Sequence, residues 1–181
     1  MMEQSNSLDQ IVNLSGVVQD SIVDGPGIRM AVFTQGCPHG CPGCHNPETH
    51  PFEGGDPTTV AELLERVGKN PLLTGITLSG GEPFSQAAPL ALFAESCRRR
   101  GLETAAYSGY TFEQLLELGQ QDPGVLALLR QLDTLVDGLF LQELMSYELR
   151  FRGSSNQRTI DVQRSLEAGK TVLDESERWN G

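Results

Sequence analysis

The 181-residue chain predicts an α/β fold, a partial, open parallel β/α barrel. Three observations carry that expectation. First, β-rich runs alternate with amphipathic helical runs, an order that implies parallel strands joined by right-handed crossovers. Second, three of the β-rich runs end in loops of glycine or cysteine, and ligand sites in such folds gather at the C-terminal ends of strands. Third, with about five or six strands the chain is too short for a complete eight-stranded barrel of about 250 residues.

The first β-rich run, Ile28-Arg29-Met30-Ala31-Val32-Phe33-Thr34, passes directly into a loop bearing Cys37, Cys41 and Cys44. Residues 59–67 read as a helix, with Thr59 and Glu62 as a capping box and Val60, Leu63, Leu64 and Val67 on one face. Gly75-Ile76-Thr77-Leu78-Ser79 is a second strand that ends in Gly80-Gly81-Glu82-Pro83. A helix over about 87–100 follows, with arginines near its C-terminal end, where they complement the helix dipole. Residues 102–107 form a third strand, Ser108-Gly109-Tyr110 a loop, and Thr111 with Gln114 caps a helix running to about 118. Residues 125–132 are helical, and Thr134-Leu135-Val136-Asp137-Gly138 reads as a buried strand. The cysteine loop, Gly80-Gly81-Glu82-Pro83 and Ser108-Gly109-Tyr110 are therefore expected around one cavity.

The length suits a single domain over residues 1–181, with about 1–10 and 168–181 expected to be flexible. A net charge of −11 opposes docking on phosphate backbones or anionic lipid, so neither nucleic acid nor membrane is expected as a partner. No basic, apolar leader opens the chain, and no run approaches the roughly 18 apolar residues of a membrane span. Three of the four cysteines share one eight-residue loop, too tight for a disulfide framework. That usage points to a metal site in a reducing, cytoplasmic setting.

The spacing C-x3-C-x2-C supplies three thiolates to one centre. A four-iron cluster normally takes one cysteine per iron, so three cysteines leave one iron open to a ligand that is not protein. Structural zinc is the competing reading, with His39, His45 or His50 completing a tetrahedral set. A redox dithiol at Cys41 and Cys44 is another, although it leaves Cys37 unexplained. Pro38, Gly40, Pro42 and Gly43 keep the loop out of regular structure and its N–H groups free to meet cluster sulfides. Cys97 falls on a helix and is expected to be buried rather than a ligand.

Taken together, C-x3-C-x2-C after a first strand and Gly-Gly-Glu-Pro after a later one resemble the radical S-adenosylmethionine superfamily. Val23-Asp24-Gly25-Pro26-Gly27-Ile28-Arg29 and Cys44-His45-Asn46-Pro47-Glu48-Thr49 resemble the activating enzymes of glycyl-radical enzymes. Tyr107-Ser108-Gly109-Tyr110, Leu135-Val136-Asp137-Gly138 and the run from Leu149 to Arg158 are similar to the branch serving the anaerobic ribonucleoside-triphosphate reductase. The resemblance spans about residues 11–162.

The resemblance implies a barrel of the radical-SAM type and a [4Fe-4S] cluster on Cys37, Cys41 and Cys44, its fourth iron chelated by S-adenosyl-L-methionine. Gly80, Gly81 and Glu82 would contact the methionine amino group, and Gly43, Cys44 and His45 would meet the adenine through their backbone. It further implies reductive cleavage of that cofactor and a glycyl radical placed on the reductase, with a low-potential donor such as a flavodoxin. Activation of another glycyl-radical enzyme, of the pyruvate formate-lyase type, is the alternative, and a zinc-binding interaction module is a third reading. Two positions depart from the pattern: Gly43 stands where much of the superfamily has an aromatic residue, and His45 where many of this branch have tyrosine. Asp24 and Arg29 are expected near the cavity mouth, and His39 and His50 facing solvent. The segment holding Arg150, Arg152 and Arg158 reads as a solvated loop, a partner-facing surface or a closing segment.

Overall fold

Short β-branched and apolar runs pair side by side here because each buries alternate residues against the helices that follow it. The computed structural model describes residues 7–181. Its strands are β1 (Ile11–Ser21), β2 (Arg29–Thr34), β3 (Asp56–Thr59), β4 (Gly75–Gly80), β5 (Glu103–Ser108), β6 (Thr134–Asp137) and β7 (Arg158–Asp161). Among the described residues they form one open sheet in the order β3-β1-β2-β4-β5-β6-β7.

β2, β4, β5 and β6 are parallel, as expected of a β/α alternation. The sheet has seven strands where five or six were expected, because β1, β3 and β7 are added at its edges, all antiparallel to their neighbours. The connection from β1 to β2 is too short for a crossover, so the chain folds back as a hairpin. β1 lacks a clean alternation because it buries only Val12, Leu14 and Ser21. β3 contains Pro57, which suits an edge position. Outside β7, Asp161 N–H donates to the Val172 carbonyl at 3.0 Å, and Asp174 N–H to that of Thr159 at 2.9 Å.

Four helices follow the sequence to within a few residues, Val60–Gly68, Ala87–Arg99, Phe112–Leu118 and Pro123–Arg130, and two more that it did not announce come after them, Val162–Ala168 and Glu177–Asn180. Both expected capping boxes form, Thr59 with Glu62 and Thr111 with Gln114. Each cap is worth about 1 kcal/mol. Met30, Val32, Ile76, Leu78, Ala106 and Leu135 meet Leu63, Leu90, Phe93, Leu115 and Leu128 in the main core. The alternate strand residues face the other way, and there Ala105 and Val136 pack with Trp179.

Within the segment 168–181, one residue is held on that second face. Trp179 is 1% exposed. Its ring lies 5.5 Å from that of Phe151 and 5.6 Å from the Arg29 guanidinium carbon, and its Nε1 donates to Glu103 at 3.2 Å. Among the described residues, it is this C-terminal segment that packs on the second face of the sheet. At the other end, residues 1–6 lie outside the described residues, while Leu8 packs against the main core.

β6 and β7 are tied by Arg158, whose Nε and a terminal nitrogen donate to the buried Asp137 carboxylate at 3.0 and 2.6 Å. The same guanidinium grips Glu113 at 2.7 and 3.2 Å. Arg158 thus serves the fold and leaves no spare charge for a partner. The bonds from Arg158 hold the Glu113 carboxyl down to about 2, with Thr171 assisting. A carboxyl lowered from 4.5 stabilises the fold above that value, and the contribution is lost as pH falls through about 2. We therefore expect the stability difference between wild type and Glu113→Gln, from urea unfolding, to be constant above about pH 5.5 and to shrink steadily toward about pH 2. An unchanged difference at the acid end would contradict this account.

Candidate active site

The C-terminal ends of β2, β4 and β5 open onto a cavity of about 880 Å³. Cys37, Cys41 and Cys44 all line it, together with His45, Gly80 and Gly81. The loop holding the cysteines is closed at its base by backbone bonds: Gly36 N–H to the Thr49 carbonyl at 2.8 Å and Cys37 N–H to that of His50 at 3.0 Å. Gln35 braces the return with a bond to the Pro51 carbonyl at 2.6 Å. Within the loop, Gly40 and Gly43 adopt φ of 58° and 74°, turns that favour glycine.

The three loop cysteines are half-buried, whereas Cys97 is buried in the main core. Burial pushes the Cys97 thiol up to about 12, which leaves it inert. Burial also raises the Cys37 thiol, and the Glu82 charge adds to the effect. A metal centre would have to displace that proton on binding. Among the described residues, no three His, Cys, Asp or Glu side chains converge as ligands of a single ion. Three thiols lining one cavity of about 880 Å³ match in number the cysteines of a four-iron cluster that keeps one iron open.

Gly80 and Gly81 have a structural cause of their own. A Cβ on Gly80, whose φ is 89°, would lie 2.5 Å from the Thr34 nitrogen, and one on Gly81 would lie 2.2 Å from the Gly36 carbonyl oxygen. Only glycine lets β4 end so close to the strand that leads into the cysteine loop. Two backbone bonds seal the crossing, Gly81 N–H to the Thr34 carbonyl at 2.8 Å and Glu82 N–H to that of Gly36 at 2.9 Å. The bare backbone of both glycines then faces the cavity.

Glu82 and Gly43 do not line the cavity. Glu82 is fully buried, and its carboxylate accepts bonds from the Phe84 and Gly109 N–H groups, the Ser108 hydroxyl and His39. Gly43 leaves room for the Gln142 side chain, which a Cβ would meet at 2.8 Å. His45 sits at the rim with its ring 5.0 Å from that of Phe140. That pair supplies an aromatic surface close to where Gly43 has none.

Three expectations are corrected. His39 does not face solvent: its side chain is 11% exposed and bonded to Glu82. His50 is half-buried and lines the cavity. Asp24 does line the cavity, but Arg29 is wholly buried behind it. Arg29 donates to the Thr77 hydroxyl at 2.7 Å, the Ile76 carbonyl at 2.8 Å and the Pro26 carbonyl at 3.1 Å, and Thr77 in turn donates to the Asp24 carbonyl at 2.7 Å. It shapes the Gly25-Pro26-Gly27 turn from within, and burial lowers its pKa.

The far wall of the cavity comes from residues 138–157, of which only the stretch around Arg150 to Arg158 carried a reading from the sequence. Phe140, Tyr147, Phe151 and Arg152 line it. The segment is held by Gln157, which donates to the Gly138 carbonyl at 3.1 Å and accepts from the Gly153 and Ser154 N–H groups at 2.9 and 3.1 Å. Tyr107, at the end of β5, donates its hydroxyl to the Phe151 carbonyl at 2.8 Å. Of the readings for Arg150 to Arg158, a closing segment is the one this geometry favours. The only advance signal was the similarity of that run to a known branch.

A fold of parallel strands ending on a three-thiol loop defines an iron–sulfur protein of the one-cluster kind, and a family described as "4Fe-4S single cluster domain" matches residues 23–160. The anaerobic ribonucleoside-triphosphate reductase-activating protein of Salmonella typhi is 36% identical over 148 residues, 75% of this chain and 90% of that protein. The protein of the same name from Escherichia coli K12 is 35% identical over 144 residues, with the same coverage. A pyruvate formate-lyase-activating enzyme from Clostridium pasteurianum is 38% identical over 105 residues, 53% of this chain and 44% of that enzyme. The chain belongs to the family of anaerobic ribonucleoside-triphosphate reductase-activating proteins. No helix among the described residues is long and apolar enough to cross a membrane.

Proposed function

We propose that this chain is an oxidoreductase that reductively cleaves S-adenosyl-L-methionine at a [4Fe-4S] cluster. The 5′-deoxyadenosyl radical so made would take a hydrogen atom from one glycine of an anaerobic ribonucleoside-triphosphate reductase. The observation that carries this reading is the meeting of the three-thiol loop with the bare Gly80–Gly81 backbone on one cavity of about 880 Å³.

Cys37, Cys41 and Cys44 would hold the cluster. When bound, it supplies a low-potential electron and an iron left open for chelation. The Gly80–Gly81 edge offers backbone groups to the methionine end of the cofactor, and the backbone around Cys44 and His45 offers them to the adenine. The rings of His45 and Phe140 would shield the adenine from water. Residues 138–157 would shield one side of the reacting centre from water. A flavodoxin-like protein would deliver the electron.

Similarity to a pyruvate formate-lyase-activating enzyme supports a second reading, activation of a different glycyl-radical enzyme, but over a smaller share of both chains. Incubating the reduced, cluster-loaded protein and S-adenosyl-L-methionine with each candidate enzyme should give a glycyl-radical EPR signal on the reductase. No signal there, with a signal on pyruvate formate-lyase, would reverse the assignment.

A further inference from the structure

Glu82 ends β4 with a carboxylate wholly out of water, a position that an acidic residue holds only when its lone pairs are satisfied. One oxygen accepts from the Phe84 N–H at 3.1 Å and the Ser108 hydroxyl at 3.0 Å. The other accepts from the same hydroxyl at 3.0 Å, the Gly109 N–H at 2.9 Å and His39 at 2.7 Å. A carboxylate only accepts, so Nε2 of His39 carries the proton in this bond. The His39 ring lies against Gly109, where a Cβ would sit 2.4 Å from a ring carbon, and meets the Tyr110 ring edge-on with centroids 4.5 Å apart. Three chain segments therefore converge on one carboxylate: the cysteine loop through His39, the turn after β4, and the turn after β5.

We propose that Glu82 and His39 are positioning residues that lock the cysteine loop onto the turns after β4 and β5. The pair sets where the three thiols stand relative to the Gly80–Gly81 edge, and Glu82 acts on the cofactor through that placement rather than by touching it. This inference rests on the reading above that the thiols hold a cluster. His39 lies between Cys37 and Cys41 in the sequence, so its bond is the short lever by which the strand ends hold the loop.

The test compares His39→Phe, which keeps the ring and its packing, with His39→Gln, whose amide can donate to the carboxylate from nearly the same place. All proteins are reconstituted anaerobically, and the rate of iron release to a chelator is followed spectroscopically beside thermal unfolding of the cluster-free forms. Loss of one hydrogen bond to a charged group should speed iron release by about tenfold in His39→Phe. His39→Gln should restore the wild-type rate to within about twofold, and cluster-free His39→Phe, which leaves the buried Glu82 carboxylate one donor short, should unfold earlier than wild type while His39→Gln recovers that loss as well. Failure of His39→Phe alone to take up iron would also support the lock. Wild-type release from His39→Phe, or equal loss in both variants, would overturn it. Failure of the wild type itself to hold iron would instead defeat the underlying function.

Discussion

Replacing Cys44 by alanine is expected to lower 5′-deoxyadenosine formation with dithionite to background, a loss of about a thousandfold or more. Two thiols then remain on the loop, and iron bound per chain should fall with the activity. The substitution should leave the fold intact. Cys44 sits in a loop without regular structure, and its sulfur accepts only one long bond, from the Asn46 N–H at 3.4 Å. The cluster-free variant should therefore match wild type within about 0.5 kcal/mol in urea unfolding. Full turnover by this variant would remove the cluster from the mechanism, while a large loss of stability would make the inactivity uninformative about ligation.

The second large effect is on stability. Trp179→Ala should cost about 3–5 kcal/mol, the range for emptying a buried aromatic site. Trp179 packs with Ala105 and Val136 on the sheet face opposite the main core, and it also touches the buried Arg29. Its removal would wet that guanidinium and loosen the Gly25-Pro26-Gly27 turn, since a Cβ on Gly25 would already lie 3.0 Å from the indole. Chemical unfolding of the cluster-free protein measures the loss, and Trp179→Phe should recover about half of it. A cost below about 1 kcal/mol would mean that the tail does not cover this face in solution.

The parallel centre of the fold was legible because its strands are short and β-branched or apolar, and because amphipathic helical runs fall between most of them. Thr59 with Glu62 and Thr111 with Gln114 announce two of those helices as local chemistry, and both boxes form. β1 and β7 carried no such signal. β1 is largely exposed, with a burial pattern that breaks at its bulges, and β7 is four residues fixed by the Arg158–Asp137 contact, which is long-range. The site divides the same way. Three clustered cysteines and a glycine pair are visible in one dimension. The bond between His39 and Glu82 joins residues 43 apart, and Trp179 reaches Glu103 across 76. Neither pairing leaves a local spacing to read.

The outermost strands have a consequence for how copies of this protein meet. A sheet that stops short of closure ends in two rims of backbone groups, each a template on which another molecule could add a strand. On one rim β3 carries Pro57, which has no N–H to offer. On the other, the chain's own residues 172–174 already bond along β7. Filament growth by edge recruitment is thereby blocked at both ends. The sheet can therefore stay open at both edges without becoming a seed for aggregation.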